Sequence, residues 1–186
     1  MSAKSFKRLT NELNFLQKNP IPNINILNTE NLYEWIIKII GPLDTSYYGG
    51  IFYLSLCFPH NYPFQPPPTP LFISKIYHPN IHNDGYLCPC HYNEIVTNSW
   101  SPTNKVEDII KKIYNLFFNP DFYYYCNKAA VNIYRYEGDI KERINKCIKR
   151  IEESILNEEY RLYSYSGMKF KGKIGKKFFK EDYKFY

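Results

Sequence analysis

The chain has 186 residues, 44% of them apolar and 23% charged, with a formal net charge of +6. That length suits one compact domain with room for an extension, and the composition is that of a soluble globular protein. No uninterrupted apolar run approaches the roughly 18 residues needed to cross a bilayer, so no transmembrane segment is expected.

Phe6, Leu9, Leu13 and Leu16 recur at helical steps, and Pro20 and Pro22 stop the pattern. The bases of this first segment belong to an amphipathic helix, without the continuous apolar stretch of a secretory signal. Short segments over 23–27, 32–40, 51–58 and 70–73 have strand character, separated by turn residues such as Gly41-Pro42 and Gly49-Gly50. Strands following one another without intervening helices predict an antiparallel four-stranded meander. Over 76–102 neither period holds, and an irregular stretch of that length inside a domain is usually functional or disordered. Val106, Ile109, Ile110, Ile113, Leu116 and Phe117 then mark a helix face ending near Pro120. Helical character returns over 128–136 and from 139 to about 160. The expected fold is therefore α+β, with a domain over 1–160 and an extension over 161–186.

Charge is uneven along this layout. From Arg161 onward eight Lys or Arg face only Glu181 and Asp182, so the whole +6 resides there and the first 160 residues are balanced. Lys169, Lys171, Lys173, Lys176, Lys177 and Lys180 alternate loosely with Phe170, Phe178 and Phe179. A solvated appendage is expected, then a docking segment for an acidic partner, with a nucleic-acid or anionic-membrane contact as the further alternative. An acidic partner is expected over nucleic acid, because the core offers no nucleic-acid chemistry.

Five cysteines (Cys57, Cys88, Cys90, Cys126 and Cys147) are odd in number and scattered apart from one close pair. Without a secretory signal they read as free thiols of a cytoplasmic or nuclear protein. Cys57, Cys126 and Cys147 lie in apolar contexts and read as packing residues. The segment Lys75 to Cys90, KIYHPNIHNDGYLCPC, holds the other two. His78-Pro79-Asn80 precedes Cys88, which follows His78 by ten residues, with Gly85 turning the chain between them. One reading is a nucleophilic thiol with a nearby amide able to stabilise an oxyanion. The other is a metal site from His78, His82, Cys88, Cys90 and His91. Pro79 disfavours a helix presenting both histidines, and the Cys-Pro-Cys pair has no matched second pair, so the metal reading is the weaker.

KIYHPNI followed by GYLC resembles the signature of ubiquitin-conjugating enzymes. Three further blocks resemble that family in the same order: KRLTNEL (Lys7 to Leu13), GPLDTSYYGGIFYLSLCFPHNYPFQPPP (Gly41 to Pro68) and NSWSPTNKVEDII (Asn98 to Ile110). The resemblance covers residues 4 to about 155 and implies an acyl transferase without cofactor or metal. It implies that Cys88 carries ubiquitin or a ubiquitin-like modifier as a thioester and passes it to a ligase cysteine or a substrate lysine. Such chemistry needs an exposed sulfur, stabilisation of the tetrahedral oxyanion and an orienting surface. By the same resemblance Asn80 serves the oxyanion or the loop holding the site, and His78 braces that loop. Lys7 and Arg8 would meet the activating enzyme; Phe64, Pro102 and Thr103 would dock a ubiquitin ligase. Retention of Cys88 weighs against the alternative of a non-enzymatic relative that presents a modifier as a scaffold.

Three departures from the family pattern stand out. The spacing from Cys88 to Trp100 is four residues longer than the family's common one. Where many members carry an acid to help deprotonate the acceptor lysine, this chain has NPDFYYYC, putting Tyr124 there with Asp121 as the nearby carboxylate. Tyrosine, with a reference pKa of about 10, is a poor base at neutral pH. The helix face that meets the donor modifier in the family carries Lys111 and Lys112.

Overall fold

A computed structural model describes residues 3–27, 31–67, 69–74, 76–136, 162–163 and 169–170. The first helix, α1 (Ala3–Lys18), buries Ser5, Leu9, Glu12 and Leu16, while Leu13 is half-buried and Phe6 stays exposed. The stripe expected from the sequence is thus rotated toward Ser5 and Glu12, two polar residues with interior partners. Ser5 donates to the carbonyl of His60 at 2.7 Å, and Glu12 accepts from the Tyr62 hydroxyl and the Val106 N–H.

Four strands follow, β1 (Ile24–Ile26), β2 (Glu34–Ile40), β3 (Ile51–Cys57) and β4 (Leu71–Phe72), paired antiparallel in chain order. The expected meander is present, each strand slightly shorter than its apolar segment. Register follows from alternation. Trp35, Ile37 and Ile39 pair with Leu56, Leu54 and Phe52, so all six point into one face and are buried. Gly41 is required at the β2–β3 turn, because a Cβ there would lie 1.6 Å from the carbonyl oxygen of Tyr47.

Helix α2 (Pro89–Ile95) and a short 3-10 turn (Thr97–Ser99) occupy the stretch expected to be irregular. Pro89 stands at the first turn, where its missing N–H costs nothing. Tyr92 and Val96, one turn apart, are buried. The helix was illegible because it is short and opens on residues of weak helix propensity.

Helix α3 (Val106–Phe118) buries Val106, Ile109, Ile110, Ile113, Leu116 and Phe117, the face read from the sequence. Phe117 packs on Phe52 and Phe72 with ring centroids 5.5 and 6.3 Å away, joining α3 to the sheet. Its first turn is capped twice: Asp108 accepts the Lys105 N–H at 2.9 Å, and Glu12 of α1 accepts the Val106 N–H at 2.6 Å. Helix α4 (Lys128–Tyr136) starts where expected, with Asn127 accepting the Ala130 N–H at 3.1 Å.

The helix read over 139–160 lies outside the described residues. Two short strands, β5 (Leu162–Tyr163) and β6 (Lys169–Phe170), pair antiparallel within the segment read as a basic extension. No helix among the described residues is long and apolar enough to cross a membrane.

Candidate active site

The site is built on His78, which is fully buried. Its Nδ1 accepts the Asn80 N–H at 2.9 Å, so the ring proton sits on Nε2 and donates to the carbonyl of Leu116 at 3.0 Å. Tyr47 stacks on the ring at 5.3 Å. Burial, with a smaller push from His91, outweighs the Leu116 hydrogen bond and lowers the His78 pKa to about 4. His78 is therefore a neutral brace between the active-site loop and α3, as its structural role implied.

Beyond His78 the chain folds back on itself. Gly85 has φ +93°, and a Cβ there would sit 2.2 Å from the carbonyl oxygen of Phe72. That close approach lets Phe72 N–H bond to the Gly85 carbonyl and brings Leu87 opposite Ile81. Cys88 follows at once. Its N–H donates to the carbonyl of Asn80 at 2.7 Å, and its own carbonyl accepts the Tyr92 N–H as the first bond of α2. The His-Pro-Asn segment and the cysteine are thereby brought together, as their spacing predicts.

Asn80 is fully buried and its side-chain amide is saturated. Both amide hydrogens donate, to the carbonyls of Asp121 and Tyr124 at 2.7 Å each, and its oxygen accepts the Asp121 N–H at 2.9 Å. In this geometry Asn80 holds the 121–124 loop and has no hydrogen left for an oxyanion. Of the two roles implied for it, the observed one is loop support.

Cys88 is only 5% exposed, which departs from the expected open sulfur. Cys126 stands near it, its N–H fixed to the Pro79 carbonyl at 3.0 Å and its thiol donating to the same carbonyl at 3.8 Å. Burial, then the Cys88 sulfur beside it, raises the Cys126 pKa to about 12. Cys126 is a neighbour of the nucleophile, a position its apolar sequence context hid. Cys90 is exposed.

The 121–124 loop packs against α2. Asp121 Oδ1 accepts the N–H groups of Tyr123 and Tyr124 at 2.6 and 3.0 Å, and Oδ2 meets His91 Nδ1 at 2.9 Å. Burial raises the Asp121 pKa, but the Tyr124 and Tyr123 amides and then His91 outweigh it and hold the carboxyl below its ordinary value. Tyr124 shifts the other way: partial desolvation, then Glu94, Tyr123, Asp121 and Cys90, raises its phenol. Neither acceptor-side residue named from the sequence is poised as a base. His91, weighed there only as a metal ligand, is the buried member of this corner. Among the described residues no group of three or more His, Cys, Asp or Glu side chains converges on a metal position.

The proposed partner residues divide. Lys7 is exposed on α1. Arg8 is turned inward, pairing with Glu12 and donating to the Asn104 carbonyl at 2.8 Å. Phe64 is 67% exposed, and Pro102 and Thr103 are exposed beside it in the next loop. Trp100 joins the two loops by donating its indole N–H to the Pro63 carbonyl at 2.8 Å. Lys111 pairs with Glu107, and Lys112 donates to the Ile95 carbonyl, tying α3 to the end of α2.

A family model described as ubiquitin-conjugating enzyme matches residues 8–150. Ubiquitin-conjugating enzyme E2 13 of Arabidopsis thaliana is 32% identical over 166 residues, covering 82% of this chain and 99% of its own. Ubiquitin-conjugating enzyme E2 14 of Schizosaccharomyces pombe is 39% identical over 121 residues, 64% of this chain and 76% of its own. A ubiquitin-conjugating enzyme E2 of African swine fever virus is 33% identical over 155 residues, 79% of this chain and 71% of its own. The chain belongs to the ubiquitin-conjugating enzyme family and is a conjugating transferase.

Proposed function

We propose that Cys88 accepts ubiquitin or a ubiquitin-like modifier from an activating enzyme and holds it as a thioester. The acyl group then passes to a ligase cysteine or an acceptor lysine. The observation that carries this reading is the double anchorage of the site on Asn80. Its main-chain carbonyl holds the Cys88 N–H and its side chain holds the acceptor-side loop, so nucleophile and loop share one fixed point. Fixing the reacting groups is what transfer of an acyl group from one nucleophile to another requires of a protein. The Tyr124 and Asp121 segment forms the acceptor side. Lys7 contributes to activating-enzyme binding, and the Phe64, Pro102 and Thr103 surface takes the ligase.

We take residues 1–160 as the catalytic domain and 161–186 as a basic extension for an acidic partner. The working compartment is the reducing cytoplasm or nucleus, in keeping with the free cysteines among the described residues.

Incubation with activating enzyme, ATP and a panel of modifiers, read on non-reducing gels, tests the reading. A thiol-sensitive adduct with one modifier is expected. Absence of an adduct with every modifier would leave a non-catalytic scaffold.

A further inference from the structure

Resting on that reading of Cys88, we propose that His91 accepts the proton of an attacking amine and that Asp121 positions His91 for it. His78 and Asp121, both bonded into this corner, are already engaged. Both nitrogens of His78 are bonded, to Leu116 and to the Asn80 N–H. Both oxygens of Asp121 are bonded, one to two loop amides and one to His91. His91 differs. Its side chain is 6% exposed and Nδ1 is engaged, yet Nε2 is buried with no hydrogen-bond partner.

A buried imidazole nitrogen without a partner loses its hydration and gains nothing in return, so such groups are rare and call for a reason. Here the reason is positional. Cys88 caps α2, and His91 lies three residues on, in the first turn of that helix. The bond to Asp121 fixes the tautomer, with hydrogen on Nδ1 and the lone pair on Nε2. This is the division of work between an imidazole base and the carboxylate that orients it.

The step balances without any external reagent. An acceptor lysine enters as an ammonium beside Cys88 and gives one proton to Nε2. The freed amine attacks the thioester carbonyl, the carbon–sulfur bond breaks, and its electron pair leaves on the Cys88 sulfur. The imidazolium, paired with Asp121 meanwhile, returns its proton to that sulfur. The products are an amide, the Cys88 thiol and neutral His91, with the amine's second proton lost to solvent. A cysteine acceptor needs no such base, since its reference pKa of about 8.5, against about 10.4 for lysine, already supplies thiolate.

Single-turnover discharge of the charged enzyme onto free lysine and onto free cysteine provides the test. His91→Asn keeps an N–H near the Nδ1 position and removes the base. It should charge normally and discharge to cysteine within about twofold of wild type, while lysine discharge falls roughly 100-fold, the usual scale of a lost general base. Asp121→Asn should shift lysine discharge in the same direction by a smaller factor. Should the Asn variant fail to charge, His91→Gln takes its place with the same expected split. Unchanged lysine discharge, or equal losses toward lysine and cysteine, would overturn the proposal. So would a wild-type enzyme that charges but never discharges to lysine. Failure of wild type to charge at all would instead strike the thioester reading beneath it.

Discussion

The N–H of Cys88 is held at 2.7 Å by the carbonyl of Asn80, so Cys88 is positioned by the same residue whose side chain fastens the 121–124 loop. Asn80→Ala therefore strands the carbonyls of Asp121 and Tyr124 and one N–H. The expected loss is about 2–4 kcal/mol of stability, measured by urea unfolding. Cysteine discharge should survive within several-fold, because no oxyanion donor has been removed. A 100-fold or larger loss toward both acceptors, on the scale of a missing oxyanion donor, would show that the amide turns to the reaction after all.

His78 makes stability depend on pH. Its folded pKa is about 4, below the ordinary 6.5, so between those values the unfolded chain binds a proton that the folded chain refuses. Stability from this group is fully present above about pH 6.5 and falls as pH drops to about 4, by roughly 3 kcal/mol in all. Urea midpoints between pH 7 and pH 4.5 should decline in the wild type and decline less in His78→Asn. Parallel slopes in the two proteins would remove His78 as the cause.

Lys7 and Arg8 are adjacent in sequence but should separate in experiment. Arg8→Ala breaks the pair with Glu12, which also caps α3, and should lower stability by about 1–3 kcal/mol. Lys7→Ala should leave the urea midpoint nearly unchanged and slow charging by the activating enzyme. A stable Arg8→Ala protein would mean that the inward contacts contribute little.

The extension carries all the net charge, so binding through it should weaken steeply with salt, which screens exposed charges over about 8 Å at physiological ionic strength. Deleting residues 161–186 should leave Cys88 charging intact and remove only the salt-sensitive part of partner binding. Loss of folding or of charging on deletion would mean that the segment belongs to the domain.

Much of this arrangement was written in local patterns. Apolar runs bounded by turn residues marked the strands, and the Val106 to Phe117 spacing set the buried side of α3. The offset of Cys88 from His78-Pro79-Asn80 marked two segments that the fold brings together. What escaped was everything decided by distant partners. α2 forms because Tyr92 and Val96 find a core, not because its residues favour helix. The His91–Asp121 pair spans thirty residues and the Cys88–Cys126 contact thirty-eight, so no local period announces either. Arg8 was expected beside Lys7 at a partner surface, and its inward pairing was hidden because nothing local marks Glu12, one helical turn on, as buried.

The central claim is that Cys88 alone carries the acyl group, and it is tested most directly by charging three single-serine variants. Cys90→Ser and Cys126→Ser should each form the thiol-sensitive adduct of the wild type. Cys88→Ser should form a thiol-resistant ester or no adduct. A thiol-sensitive adduct that persists in Cys88→Ser would contradict the account, because another cysteine would then be the carrier.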